Sequence, residues 1–153
     1  MHIVGSRIHA TAVAWGAHCV LLRGPSGSGK SDLALRLVSA DGTGAHAPSW
    51  RLVGDDQVEL AREGAAVTVV APEALRGKLE VRGFGIVDVP FANSALAALV
   101  VDLMPREAVD RLPDADIRID VLGVPLPRLL LHAFDTSAPI KLRLALKRAV
   151  GDG

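Results

Sequence analysis

The stretch Gly24-Pro25-Ser26-Gly27-Ser28-Gly29-Lys30-Ser31 constrains what this chain can fold into more than any other part of it. It fits the phosphate-binding pattern G-x-x-x-x-G-K-[ST] without a gap. The glycines let the backbone curl tightly and bring successive N–H groups close to phosphate oxygens. Lys30 supplies a compact positive charge for the outer phosphates, and the Ser31 hydroxyl is suited to ligate Mg²⁺. The flanks agree: residues 18–22 read as a buried strand and residues 32–38 as a helix. Phosphates would then sit at the positive end of a helix dipole. The expectation is an α/β domain that binds a nucleoside triphosphate.

Composition narrows the class of partner. The 153 residues predict one domain, residues 1–153, around a single core. Half of the residues are hydrophobic and 22% are charged, which excludes a disordered chain. The formal net charge is zero, aromatics make up 3% and tyrosine is absent, so no nucleic acid partner is expected. Cys19 is the only cysteine, which rules out an internal disulfide and reads as a buried, inert thiol in a reducing compartment. No apolar run is long enough to span a membrane, and the N-terminus lacks a basic region followed by an apolar stretch. The expected location is the cytoplasm, with no membrane partner. His2, His18 and His46 have no zinc-like spacing with Cys19.

Taken in order, residues 7–14 read as a first strand that turns at Trp15-Gly16-Ala17 into the strand before the loop. That hairpin would carry His9 beside the phosphate loop. Residues 39–49, rich in Gly, Ala and Pro, read as an exposed loop. Residues 51–54 form a short strand ending at Asp55-Asp56, and residues 57–61 and 66–71 form a hairpin around Glu63-Gly64. A helical turn starts at Pro72, and the two glycines in residues 79–86 predict an unusual backbone path. Residues 95–103 are a strongly apolar central strand. Residues 117–122 alternate, and Pro125 and Pro127 confine the strand over 124–131 to an edge or a bulge. A last helix starts near Ser137 and Pro139.

A phosphate loop needs a metal and an acid. Asp55-Asp56 ends a strand where the ligand crevice of such folds lies. One carboxylate can ligate Mg²⁺, directly or through water, and the other can take a proton from an attacking hydroxyl. Glu80, ahead of the two close glycines, is a further candidate metal ligand.

Four elements in order make the chain resemble the catalytic domain of HPr kinase/phosphorylase, which transfers phosphate to a serine of the phosphocarrier protein HPr. They are His9, the loop, Arg51-Leu52-Val53-Gly54-Asp55-Asp56-Gln57-Val58 and Leu79-Glu80-Val81-Arg82-Gly83-Phe84-Gly85-Ile86. Val109-Asp110-Arg111-Leu112 is a weaker fifth. The resemblance implies a mixed sheet with a phosphate loop, of the type shared with phosphoenolpyruvate carboxykinase. It implies ATP held by residues 24–31, with Lys30 on the outer phosphates and Mg²⁺ on Ser31 and Glu80. It makes Asp56 the proton acceptor for the serine hydroxyl and donor in reverse, with His9 and Arg111 completing the site. An HPr-like partner and a homo-oligomer follow from it.

Three departures qualify that resemblance. The chain begins almost at the catalytic domain, so the N-terminal domain of longer members is not expected. Phe84 stands where the family usually has leucine. The family's late basic stretch, linked to dephosphorylation, has no counterpart in His132-Ala133-Phe134-Asp135-Thr136-Ser137, so kinase activity is expected ahead of phosphorylase activity. The rivals are a small-molecule or nucleotide kinase, weakened by the lack of an arginine-bearing lid segment, and a nucleotide-binding regulatory protein without catalysis.

Overall fold

The computed structural model describes residues 2–39 and 49–151; the loop expected over 39–49 lies almost entirely outside them, as does His46. Two short strands, β1 (His2–Ile3) and β2 (Arg7–Ile8), precede β3 (Thr11–Trp15) and β4 (His18–Arg23), and α1 (Lys30–Ser39) follows the loop. Next come β5 (Trp50–Gly54), the hairpin β6 (Val58–Glu63) and β7 (Ala66–Val70), and a 3-10 turn at Glu73–Leu75. The second half holds β8 (Lys78–Val81), β9 (Gly85–Asp88), β10 (Ala95–Leu103), β11 (Arg118–Val121), β12 (Val124–Leu131) and α2 (Ala138–Ala149).

The main sheet runs β1-β11-β12-β10-β4-β3-β5, with the β6–β7 hairpin joined through β7 to β10 and with β2 pairing β6. It is mixed. β10 lies parallel to both β4 and β12, whereas β3 is antiparallel to both β4 and β5. β5 therefore points the same way as β4, and both end at one edge of the sheet. Buried central strands read as continuous apolar runs, as β4 and β10 do. Alternate side chains feed two cores. On the helical face Val20, Leu22 and Val101 pack with Leu33 and Leu37 of α1 and Leu142 and Leu146 of α2. On the other face Leu21, Val100 and Leu126 pack with Val58 and Val69 of the hairpin. Two residues further along the same strands, Asp102 takes a bidentate pair from Arg23 at 2.8 and 2.9 Å and a third bond from Arg128 at 2.6 Å. That partly buried cluster ties three neighbouring strands together immediately before the phosphate loop.

Three local readings change. The first strand is two: β2 pairs β6, β3 pairs β4 and β5, and the chain crosses between them at His9-Ala10. Residues 78–88 make a regular two-stranded hairpin, with the glycines serving its turn, where Gly83 has φ +81°. β12 is interior, yet its prolines are tolerated for the reason that predicted an edge. β11 pairs residues 124–127 and β10 pairs only 128–131, so Pro125 and Pro127 have one neighbour each. The Arg128 amide donates to the Ile117 carbonyl, so amides at 126 and 128 face β11 and the missing proline donors face the open side. In α2 the inner face is Ala138, Leu142 and Leu146, whereas Ile140 and Leu144 are exposed. Trp15 and Trp50 pair edge to face across β3 and β5, with Arg143 over Trp15.

Candidate active site

The phosphate loop leaves β4 at the edge where β5, β10 and β12 also end, the position at which parallel strand ends form a ligand crevice. A cleft of about 980 Å³ opens there, lined by the loop, by Asp55 and Asp56 after β5, by Glu80 of β8 and by Phe134 after β12. The loop closes on itself: the Ser28 amide donates to the Pro25 carbonyl at 3.0 Å, and the Leu33 amide makes the first helical bond to the Gly29 carbonyl at 2.9 Å. Gly24, Pro25, Ser26, Gly27, Gly29, Lys30 and Ser31 line the cleft. Ser28 does not, and its hydroxyl is buried without a hydrogen-bond partner among the described residues. Gly29 is required twice over. Its φ is +100°, and a Cβ there would stand 2.8 Å from the Ala133 Cβ and 3.0 Å from the Phe134 ring.

Lys30 is 8% exposed, and its ammonium donates to the Gly24 carbonyl at 2.6 Å with Pro25 at 3.4 Å. Its nearest carboxylate oxygen is on Asp56, at 4.0 Å. The two adjacent acids divide their tasks. Asp55 is a hub: one oxygen accepts from Ser31 Oγ at 2.7 Å and Thr11 Oγ1 at 3.1 Å, the other from the Glu80 amide at 3.1 Å. Asp56 turns away through φ +64°, a conformation aspartate tolerates better than most residues. Its amide is held by Thr11 Oγ1 at 3.0 Å, and its side chain is 67% exposed to the cleft. Thr11 is wholly buried and serves both acids, whereas its sequence context marks it only as a strand residue. The signal was its period: Thr11 is the one polar side chain in a run of otherwise apolar buried positions.

The fit to Mg²⁺ rests on the donor set. The Ser31 hydroxyl bonds the Asp55 carboxylate directly, and Glu80, whose backbone amide bonds Asp55, lines the same cleft; their side-chain oxygens are of the kind a hard cation takes alongside phosphate. Among the described residues no group of three or more His, Cys, Asp or Glu forms a dedicated cage. His9, in the break between β2 and β3, is exposed and lines the cleft. Arg111, like Ser28, is an expected site residue outside the cleft lining, and it sits on an exposed bend.

On the far side of the loop the turn after β12 is pinned from several directions. Arg36 of α1 donates to the Ala133 carbonyl, the His132 ring bonds the Met104 carbonyl at 2.9 Å, and Asp135 accepts from Arg106 at 2.9 and 2.6 Å. The Arg106 hydrogen bond, with Lys141 nearby, holds the Asp135 carboxyl below its ordinary range. Cys19 is fully buried in β4, and burial pushes its thiol up to about 12, which disfavours the reactive thiolate.

Fold and cleft define a mixed α/β domain with a strand, glycine loop and helix at the sheet edge and an acid pair facing the loop. The HPr serine kinase C-terminal domain family matches residues 4–138, and the chain belongs to that family. HPr kinase/phosphorylase of Leptothrix cholodnii is 40% identical over 124 residues, 73% of this chain and 36% of that protein. HPr kinase/phosphorylase of Bordetella pertussis is 40% identical over 124 residues, 74% of this chain and 38% of that protein. The chain thus spans between a third and two fifths of the relatives it matches. A structure titled Hpr(Ser) kinase/phosphatase from Coxiella burnetii shares the fold, with a TM-score of 0.76 at 23% identity over 96% of this chain and 99% of that one. No helix among the described residues is long and apolar enough to cross a membrane.

Proposed function

We propose that this domain is an ATP- and Mg²⁺-dependent protein serine kinase whose acceptor is an HPr-like phosphocarrier protein. The observation that carries the reading is the placement of Asp56. It is the acid left free for the cleft once Asp55 is occupied, and it stands 4.0 Å from the loop lysine. The relatives' names supply the class of acceptor, and the family match supplies the reaction class.

The chain's own groups would act as follows. Loop amides and the N-terminus of α1 hold the phosphates, and Lys30 swings from its carbonyl partners to the outermost one. Bound Mg²⁺, on Ser31 with Asp55 or Glu80, would offset charge on the bridging phosphate oxygens. Asp56 takes the proton from the acceptor serine hydroxyl as its oxygen bonds to the terminal phosphorus. The bond from that phosphorus to the ADP oxygen breaks, and Lys30 stabilises the charge left there. His9 faces the same space and is placed to contact phosphate or Asp56. Arg111 is left out of this scheme. The turn after β12 carries Phe134 where the family has its basic stretch, which favours the forward reaction over phosphorolysis. Self-assembly belongs to the same reading, and light scattering of the purified chain measures it.

The test is incubation with labelled ATP, Mg²⁺ and an HPr-like protein, followed by location of the label. Label on a serine, lost in Asp56→Ala while ATP still binds, is the expected result; general-base loss reduces such rates by about 10²- to 10⁴-fold. ATP binding with no transfer to that acceptor overturns the kinase assignment and leaves a nucleotide-binding protein.

A further inference from the structure

The cleft has two chemically different ends, and only one is used by the scheme above. In the sheet order β12-β10-β4-β3-β5 the phosphate loop follows the middle strand. The acids lie beyond β5 on one side, and the turn carrying Phe134 lies beyond β12 on the other. The acids and Lys30 mark where the terminal phosphate must be, because that is where a proton is taken and charge is neutralised. A nucleotide lying along the loop then runs away from the acids, toward the β12 side.

What waits there is an aromatic ring. Phe134 is 53% exposed, packs one edge against Gly29 and lines the cleft. An exposed phenylalanine exposes apolar surface without benefit to folding, and here its neighbours hold it in place. His132 meets the ring edge-on with centroids 5.8 Å apart, Arg36 fixes the Ala133 carbonyl, and Asp135 is tied to Arg106. The ring's position is therefore set before any ligand arrives, which lowers the ordering cost of binding. Every nucleobase has a π face that can stack on such a ring. We propose that Phe134 is the stacking residue for the base of the bound nucleoside triphosphate, so that affinity for the nucleotide comes from the loop at one end and this ring at the other. The proposal rests on the phosphate-loop reading of residues 24–31.

The test compares two probes on the 153-residue chain by calorimetry with Mg²⁺: ATP, and inorganic tripolyphosphate, which has the phosphates without a base. Phe134→Ala is expected to weaken ATP about tenfold or more and to leave tripolyphosphate within twofold. Phe134→Leu keeps apolar bulk over Gly29 without a π face; it guards against loss of the fold and is expected to show the same selective loss. Equal weakening of both probes makes Phe134 a support for the loop and overturns the proposal. So does a Leu variant that binds ATP like wild type, or a wild-type protein that binds tripolyphosphate as tightly as ATP. Wild-type protein that binds neither probe overturns the phosphate-loop reading, and the Phe134 assignment falls with it.

Discussion

The two flanks of the phosphate loop are both held rigid, but by different means and for different chemistry. The acid flank is a continuous hydrogen-bond network in which Asp55 joins α1, β3 and β8 through Ser31, Thr11 and the Glu80 amide. The β12 flank is a turn clamped by ion pairs and backbone acceptors, with an aromatic ring at its tip. A connected, partly buried network polarises and orients its members, whereas a clamp of surface ion pairs positions a side chain with little electrostatic consequence in the cleft. The reacting end of the cleft is built where charge must be controlled, and the other end where shape suffices.

Variants should separate these roles, beginning with the largest expected effect. Lys30→Ala removes the only loop cation and should lower phosphate transfer by on the order of 10²- to 10³-fold, with weakened binding of ATP and tripolyphosphate alike. A steady-state assay with binding measured in parallel checks this, and full activity would mean that the loop is not the reacting centre. Thr11→Val keeps the shape of a buried β-branched residue while removing the bonds to Asp55 and the Asp56 amide. Loss of a hydrogen bond to a charged group costs about 1.5–3 kcal/mol. The expectation is lower stability in urea and a roughly tenfold drop in kcat with KM for ATP little changed. A rise in KM alongside the fall in kcat would show that the network supports the whole cleft and not the acid flank alone.

How far the sequence could anticipate this follows the range of the interactions. The loop, its strand and helix, the central strand β10 and the acid pair at the end of β5 are local patterns, and all stand where residue spacing puts them. Which of two adjacent aspartates does what is not a local property. It depends on φ at Asp56 and on Ser31 arriving from a helix 24 residues away in the chain. Thr11 reads as one more β-branched strand residue until β5 is laid beside it. The break at His9-Ala10 is hidden because both halves carry strand-like residues, and only their different partners separate them. Phe134 is legible as a departure from the family's basic stretch, but its contact with Gly29 appears only when β12 and the loop share an edge.

On the β12 flank, Asp135→Asn weakens the clamp without touching the ring. A few-fold loss of ATP affinity with tripolyphosphate unaffected is expected if the clamp presents Phe134; calorimetry with both probes decides it. The pH dependence has a definite sign. The folded-state pKa of Asp135 is depressed, so its ion pairs stabilise the fold above the ordinary carboxylate pKa, and this contribution is lost as pH falls through the depressed value. The wild type should therefore melt slightly higher than the variant near neutral pH, and the gap should close in strong acid.

Arg111→Ala is the smallest effect expected and the sharpest on geometry. The residue lies on an exposed bend outside the cleft lining, although the resemblance gives it a place in the site. If one chain completes its own site in this arrangement, transfer in the variant should stay within about twofold of wild type, because surface substitutions away from partners are nearly silent. A loss above tenfold in kcat, with ATP binding intact, would require the bend to reach the reacting end, by movement of residues 104–117 or from a second copy of the chain. Mixing the Arg111→Ala and Asp56→Ala proteins separates the two. Activity restored by mixing would mean that the cation comes from a neighbouring subunit, and activity that stays lost would place the movement within one chain.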